Sequence, residues 1–263
     1  AAVPGAATGA PAMAVLRGLL GRRASVLPTV LNLAQCVGWA AVEVLVITEV
    51  ATRLTSESLR VPWALLAGVL ATLMAVRPLG SVKVVRRYLM WAVLAATVGL
   101  FVGVLREGVP AVPEGEWTAF WPAFDIVIAL PISWAPLAAD YARHSRSRTA
   151  AFGGAAVGYG IASIVYFVLG VLAVLTVAGA GEAFTPTDFV PALLALPAGA
   201  VALVVLLVDE VDEAFANVYS TAMSAQNLVP SWDRRVLAVV VGVLATALAL
   251  LVDLVAYESF LFL

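Results

Sequence analysis

The chain has 263 residues, of which 63% are hydrophobic and only 12% charged, with a formal net charge of −2 and a mean hydropathy of +1.02. Soluble domains run at about 45–50% apolar and about 25% charged, so these figures exclude an ordinary soluble protein and indicate an integral membrane protein. One cysteine, Cys36, excludes an internal disulfide framework, and the one histidine, His144, set among Arg143, Arg146 and Arg148, makes a poor metal site.

The chain opens on Ala1-Ala2-Val3-Pro4-Gly5, with neither an initiator Met nor a basic n-region, so it reads as cut from something longer. Residues 1–16 read as the tail of an earlier helix. Runs of about 20 apolar residues predict spanning helices over 26–50, 61–79, 88–106, 118–139, 151–178, 198–227 and 236–252, and an eighth starts near Leu254. Clusters of Pro, Gly and charged residues separate them. Twelve of the 15 basic residues fall in alternate connections: Arg17 to Arg23, Arg77 to Arg87, Arg143 to Arg148, and Arg234-Arg235. Because Lys and Arg favour cytoplasmic loops, this alternation supports seven complete spans and places the 17–23 loop inside.

The first complete span carries Asn32, Gln35, Trp39 and Glu43. Gln35, Trp39 and Glu43 recur every four residues and so share one helix face. An indole beside an amide and a carboxylate suits a flat, hydrogen-bonding heterocycle, with the ring stacked and the polar groups reading its edge. Cys36, in the same apolar helix, reads as a buried, inert thiol.

The span over 118–139 contains Pro131-Ile132-Ser133-Trp134-Ala135-Pro136. Each proline removes a backbone donor and clashes with the carbonyl four residues back, which leaves the Val127 and Ile132 carbonyls without intrahelical partners. Broken helices of this kind bind ions and substrates in secondary transporters. Asp125 lies on the same helix with no assigned role, and Asp140-Tyr141-Ala142-Arg143 reads as a structural anchor or gate. In the next span, Gly154, Gly158 and Gly170 read as sites of close helix packing. Gly158-Tyr159-Gly160 makes no nucleotide motif, since no strand precedes it.

The span over 198–227 holds Asp209-Glu210-Val211-Asp212-Glu213 in its middle. Each charge at membrane depth costs roughly 2.5–3.5 kcal/mol, and such residues mark substrate or ion pathways. Asp209, Asp212, Glu213, Ala216, Asn217, Ser220 and Ser224 fall on one face at helical spacing, while Glu210 falls off it and pairs elsewhere. The stripe suits either a bound Na⁺ or H⁺ or the ring N–H and amino groups of a substrate.

Together, the segments Asn32 to Trp39, Pro131 to Arg143 and Asp209 to Ser220 resemble the purine–cytosine permease family of nucleobase–cation symporters, in the branch with cytosine and hydroxymethylpyrimidine permeases. The resemblance spans nearly the whole chain. It implies an all-α integral membrane fold of twelve helices, the first ten forming a five-plus-five inverted repeat. On that pattern residues 1–263 are a single transporter domain truncated at both ends, from the end of helix two to the start of helix ten, with helices three to nine complete. It further implies a substrate site of Gln35, Trp39, Glu43, Ser133, Trp134, Glu213 and Asn217 and a cation site at Asp209 and Asp212, with no cofactor and no metal beyond Na⁺. The expected function is cation-coupled symport of cytosine, hydroxymethylpyrimidine or a purine across a bacterial cytoplasmic membrane. No nucleic acid and no obligatory protein partner are expected. Asp212, Glu213 and Ala214 stand where related permeases often have Ser, Thr and Asn, which leaves Na⁺ or H⁺ open and favours an amino-bearing or cationic ligand, or protons. With helix one absent, these 263 residues alone are expected not to transport.

Two other classes compete. An acidic-lined channel accounts for the stripe but not for a broken helix beside tryptophans, and an intramembrane enzyme lacks a metal triad, a His dyad or a nucleophile motif. An amino-acid or amine symporter of the same fold is the main rival within transporters.

Overall fold

The computed structural model describes residues 2–108, 116–178 and 188–253. The expected span from Leu254 lies outside the described residues. In chain order the helices are α1 (Ala2–Thr8), α2 (Ala12–Ala24), α3 (Val26–Leu54), α4 (Arg60–Val76), α5 (Pro78–Glu107), α6 (Trp117–Ser133), α7 (Ala135–Ala142), α8 (Arg148–Gly153), α9 (Gly160–Ala178), α10 (Phe189–Ala195), α11 (Gly199–Leu228) and α12 (Arg234–Leu251). A 3₁₀ turn at Glu57–Leu59 leads into α4, and a π-helical stretch at Gly154–Tyr159 joins α8 to α9. Among the described residues there is no strand.

Among the described residues six stretches are long and apolar enough to cross a membrane: Val26–Leu54, Glu57–Val76, Arg87–Glu107, Trp117–Ala142, Arg148–Thr176 and Arg234–Leu251. The remaining predicted span, 198–227, is α11, whose 30 residues are long enough at about 1.5 Å per residue. Its four central carboxylates keep it out of the apolar set. The protein is thus a multi-pass, all-helical membrane protein. The stretch 17–23, expected as a loop, is instead helical and belongs to α2. The reason is local: Leu16, Leu19, Leu20 and three arginines are all good helix formers, and only Gly21, at φ 77°, interrupts the regular backbone.

The most tightly packed part of the molecule is α3 with α4, α11 and α12. Alanines line the contacts, including Ala40, Ala41, Ala67, Ala71, Ala238 and Ala245, all 5% exposed or less. Two reciprocal notches join α4 to α12. A Cβ on Gly68 would collide with Thr246, and a Cβ on Gly242 would collide with Thr72. Each threonine hydroxyl is turned back onto its own helix, Thr72 to the Gly68 carbonyl (2.6 Å) and Thr246 to the Gly242 carbonyl (2.7 Å), so the notches bury no unbonded hydroxyl. Small residues bring helices together where lipid supplies no hydrophobic drive.

This seam lies elsewhere than the expected small-residue face. A Cβ at Gly154, Gly158 or Gly170 meets no described atom within 4 Å, so these glycines do not mediate close packing. The outward faces of α4, α6 and α12 carry exposed large apolar side chains such as Leu73, Ile132 and Val243, as a lipid-facing surface requires. Phe120, Trp121 and Phe124 form an aromatic cluster near the start of α6, with centroids 5.2–6.0 Å apart, in the manner of an interfacial belt. Asp125 is exposed on the same helix.

Between α10 and α11 the chain turns through Ala198, which has φ 63°. The turn is tight, because a Cβ on the following Gly199 would meet the Leu193 carbonyl.

Candidate functional site

The site is organised by the joint between α6 and α7. Pro131 lies inside α6 and Pro136 in the first turn of α7, and Trp134 links the two helices with φ −78° and ψ −10°. These are near-helical angles, so the chain bends through a single residue rather than through an unwound segment. The Trp134 amide donates to Leu130 at 3.1 Å and also reaches Ile132, while the Trp134 carbonyl accepts from Ala138 at 2.9 Å. The carbonyl that accepts from a neighbouring helix is that of Ser133, while the Ile132 carbonyl, expected to lack an intrahelical partner, is reached by the Trp134 amide. Gln35 on α3 donates to the Ser133 carbonyl through Nε2 at 2.7 Å. The Ser133 hydroxyl donates to the Leu130 carbonyl at 2.8 Å and thus serves its own helix.

Beside this joint lies a cavity of about 850 Å³, within the range of about 300–1,000 Å³ for small-molecule sites. Its walls are Trp134 and Tyr141 of α7, Phe152 of α8, Tyr159 of the π-helical stretch, and Glu213 of α11, with α1 closing one side. The Trp134 and Tyr159 rings are 6.0 Å apart between centroids and inclined at 42°. Trp134, Ala138 and Tyr141 line the cavity at spacings that follow one helical face, and Ser145, just past the end of α7, joins them.

Of the residues expected to bind substrate, Trp134 and Glu213 line this cavity. Gln35 and Ser133 stand at the joint and fix the backbone that carries Trp134. Glu43, on the same α3 face two turns from Gln35, lies against Glu210, with Glu213 and Asp209 also close. Glu210, the carboxylate off the predicted stripe, is therefore the one turned to α3. Trp39 lies half-buried between Gln35 and Glu43 on α3. Asn217 is 3% exposed and donates to the Glu213 carbonyl at 3.4 Å, and it is not among the cavity walls. Oδ1 of Asp212 is buried, and Asp209 belongs to the group around Glu43.

The lower part of the stripe holds helices together. Asn32 donates to Ser224 at 2.9 Å, joining α3 to α11. Cys36 is fully buried against Leu137 and Ala216. Asp140, 1% exposed, accepts the Ala12 amide at 2.7 Å and the Ser220 hydroxyl at 2.5 Å, so one carboxylate ties α7 to both α2 and α11. Nearby, Arg143 donates to the Tyr219 hydroxyl at 2.6 Å, and Arg234 stacks over the Tyr219 ring at 5.3 Å while donating to the Ala75 carbonyl at 2.6 Å. Arg143 also donates to Nε2 of His144 at 3.1 Å. Partial burial and the Arg143 charge hold the His144 imidazole below its usual pKa.

Tyr141, Phe152 and Tyr159 were not assigned to the substrate site from sequence. Tyr141 was legible, since it follows Trp134 by seven residues on one helix face. Tyr159 was not, because a π-helical stretch shifts the register of the side chains that follow it, and such stretches are often found at functional sites.

A multi-pass helical bundle with an aromatic-walled cavity at a proline-flanked helix joint is the architecture of a carrier that binds a small molecule within the membrane. The comparison with known families gives the same class in finer terms. Residues 1–263 match the family described as permeases for cytosine/purines, uracil, thiamine and allantoin, and the chain belongs to that family. No curated protein matches the chain.

Proposed function

We propose that this protein is a secondary active transporter that carries a nucleobase or related pyrimidine across the cell membrane by symport with a cation. The observation that carries the reading is the cavity at the α6–α7 joint, where Trp134 and Tyr159 offer ring faces and Glu213 a polar group. A planar heterocycle is held by that combination: an aromatic side chain stacks on one of its faces and the polar group bonds its edge. Gln35, by holding the Ser133 carbonyl, sets the angle at which Trp134 enters the cavity.

The coupling cation is assigned to the acidic group on α11. Asp209 and Asp212 are the proposed ligands, with Glu43 and Glu210 alongside. Several carboxylates gathered at membrane depth repel one another, and a bound cation, Na⁺ or H⁺, relieves that repulsion. Binding of the cation and of the substrate are then linked through Glu213, which lies near Glu43 and also faces the cavity. The proposed frame is the five-plus-five inverted repeat, with α3, α6–α7 and α11 as the helices that line the site.

The test is uptake of radiolabelled cytosine by cells expressing the full natural chain, competed by a panel of purines, pyrimidines and hydroxymethylpyrimidine, with and without a Na⁺ gradient. Saturable uptake that follows the Na⁺ or H⁺ gradient and falls in Asp212→Asn is expected. No saturable uptake of any base, with the protein present in the membrane, overturns the nucleobase reading and directs the search to amines and amino acids.

A further inference from the structure

We propose that Arg17, Arg22 and Arg23 of α2, together with the exposed leucines beside them, bind an anionic phospholipid of the cytoplasmic leaflet. Such a lipid site lies beyond the transport reading and is independent of the substrate.

Helix α2 lies at the end of the bundle where basic residues collect. Asp140, near the end of α7, accepts the Ala12 amide that opens α2, and Thr29, early in α3, accepts from Asn227 near the end of α11. Arg234, at the start of α12, donates to the Ala75 carbonyl near the end of α4. The basic stretches 17–23, 143–148 and 234–235 therefore share one end, and Lys and Arg favour the cytoplasmic side.

Charge is balanced differently at the two ends. At the far end Glu49 pairs with Arg53 at 3.2 Å and with Arg60 at 3.4 Å. At the α2 end Asp140 is taken up by Ala12 and Ser220, and Asp233 caps α12 by accepting the Arg235 amide at 2.6 Å. Among the described residues, Arg17, Arg22 and Arg23 form no ion pair and no side-chain hydrogen bond. Three cations at this end thus have no counter-charge from the described part of the protein.

The surface around these arginines is apolar. Leu19 is 79% exposed and Leu27 67%, and Leu20, Val26 and Leu31 are exposed as well. Arg22 and Arg23 are exposed between them, just after the kink at Gly21. A guanidinium group matches phosphate oxygens with two parallel N–H bonds, and the leucines suit acyl chains. A soluble anion satisfies the arginines but leaves the leucines in water. A lipid without net charge covers the leucines but leaves the arginines without a counter-charge. A phospholipid with a net negative headgroup meets both. The cytoplasmic leaflet supplies such lipids, and each arginine near it strengthens binding about fivefold. The site bears on the carrier through Asp140, which joins α2 to α7, the helix whose Tyr141 lines the cavity.

The experiment titrates phosphatidylglycerol, phosphatidylcholine and glycerol phosphate separately into the full natural chain, purified in neutral detergent, with bound molecules counted by native mass spectrometry. Phosphatidylglycerol is expected to bind at least tenfold more tightly than either of the others. The triple variant Arg17→Gln, Arg22→Gln, Arg23→Gln is expected to bring the two lipids within about threefold. The control, Arg146→Gln with Arg148→Gln, removes two exposed arginines elsewhere on the same end and is expected to keep the preference. No preference for phosphatidylglycerol in the natural chain overturns the lipid assignment and leaves this face to protein, a result that stands even where a variant fails to fold. A preference that survives the triple variant, or falls equally in the control, overturns the assignment to α2. Glycerol phosphate binding as tightly as phosphatidylglycerol makes the ligand a free phosphate and also overturns it.

Discussion

The α4–α12 seam and the α8–α9 segment use the same residues to opposite ends. Both are rich in glycine, yet Gly68 and Gly242 fit against Thr246 and Thr72, while Gly154 and Gly158 face no described atom within 4 Å. In the seam, glycine removes a side chain so that two helices can touch. In the segment around Tyr159, the glycines accompany a π-helical stretch beside a cavity of about 850 Å³. The difference teaches that the half of the molecule built from α3, α4, α11 and α12 is a close-packed frame, and that the cavity lies against its edge, lined by α7, the π-helical stretch and Glu213 of α11.

The contact between the two halves should be most sensitive at Asp140. Asp140→Ala removes the acceptor of two buried donors, Ala12 N–H and the Ser220 hydroxyl, at a cost of about 1–3 kcal/mol for each donor left unsatisfied. A large fall in melting temperature in detergent, or loss of folded protein from the membrane, is expected. A melting temperature unchanged in Asp140→Ala would mean that α7 is held to the frame by other contacts.

The glycine contrast is tested next by one substitution made in both places. Gly242→Ala overpacks the seam against Thr72 and is expected to destabilise the protein by about 1–3 kcal/mol. Gly158→Ala meets open space and is expected to stabilise the helix by up to about 1 kcal/mol. Thermal unfolding of the two variants side by side reads the difference, and a similar response from both would erase the distinction between frame and segment.

At the joint, Gln35→Leu leaves the Ser133 carbonyl without its donor from α3, at an expected cost of about 1–2 kcal/mol. A weakened apparent affinity for substrate is expected to accompany it, because the joint sets the position of Trp134. Ala198→Gly, away from both halves, relieves the left-handed backbone at φ 63° and is expected to stabilise by about 1 kcal/mol.

The smallest expected effect is at His144. Folding holds its pKa below the ordinary value, so the folded state binds a proton less readily than the unfolded chain. Stability is therefore full above the ordinary histidine pKa and declines as pH falls through it toward the folded value. A pH series of melting temperatures is expected to show a slight decline on acidification that His144→Gln removes.

The apolar runs made the membrane frame legible: every predicted span from 26 to 252 matches a membrane-crossing stretch or α11 with ends within four residues, although α5 itself begins ten residues earlier, at Pro78, and the spans 118–139 and 151–178 are each made of more than one helix. Short elements were harder. The stretch Phe189–Ala195 forms α10 between the predicted spans 151–178 and 198–227, where no helix was expected, because seven residues are too few for periodicity to register. The acidic centre of α11 drew attention to Glu213, which lines the cavity. Its division, with Glu210 against Glu43 and Glu213 at the cavity, depends on how α11 is rotated against α3, which helix packing decides. Asp140 carried no local sign of its partners, since Ala12 lies 128 positions away in the chain. The seam glycines were missed because their threonine partners sit on another helix, whereas Gly154 and Gly158 matched a spacing rule without a helix to pack on.

The central claim is that the cavity between Trp134, Tyr159 and Glu213 is where substrate binds during transport. The most direct measurement is the concentration dependence of cytosine uptake for the full natural chain and for Trp134→Ala, Tyr159→Ala and Trp117→Ala, each corrected for protein in the membrane. Trp117 is exposed at the start of α6 and serves as the aromatic control. The expected result is a KM raised at least tenfold in Trp134→Ala and Tyr159→Ala, with Trp117→Ala unchanged. Unaltered uptake in both cavity variants, or an equal loss in all three, would contradict the assignment.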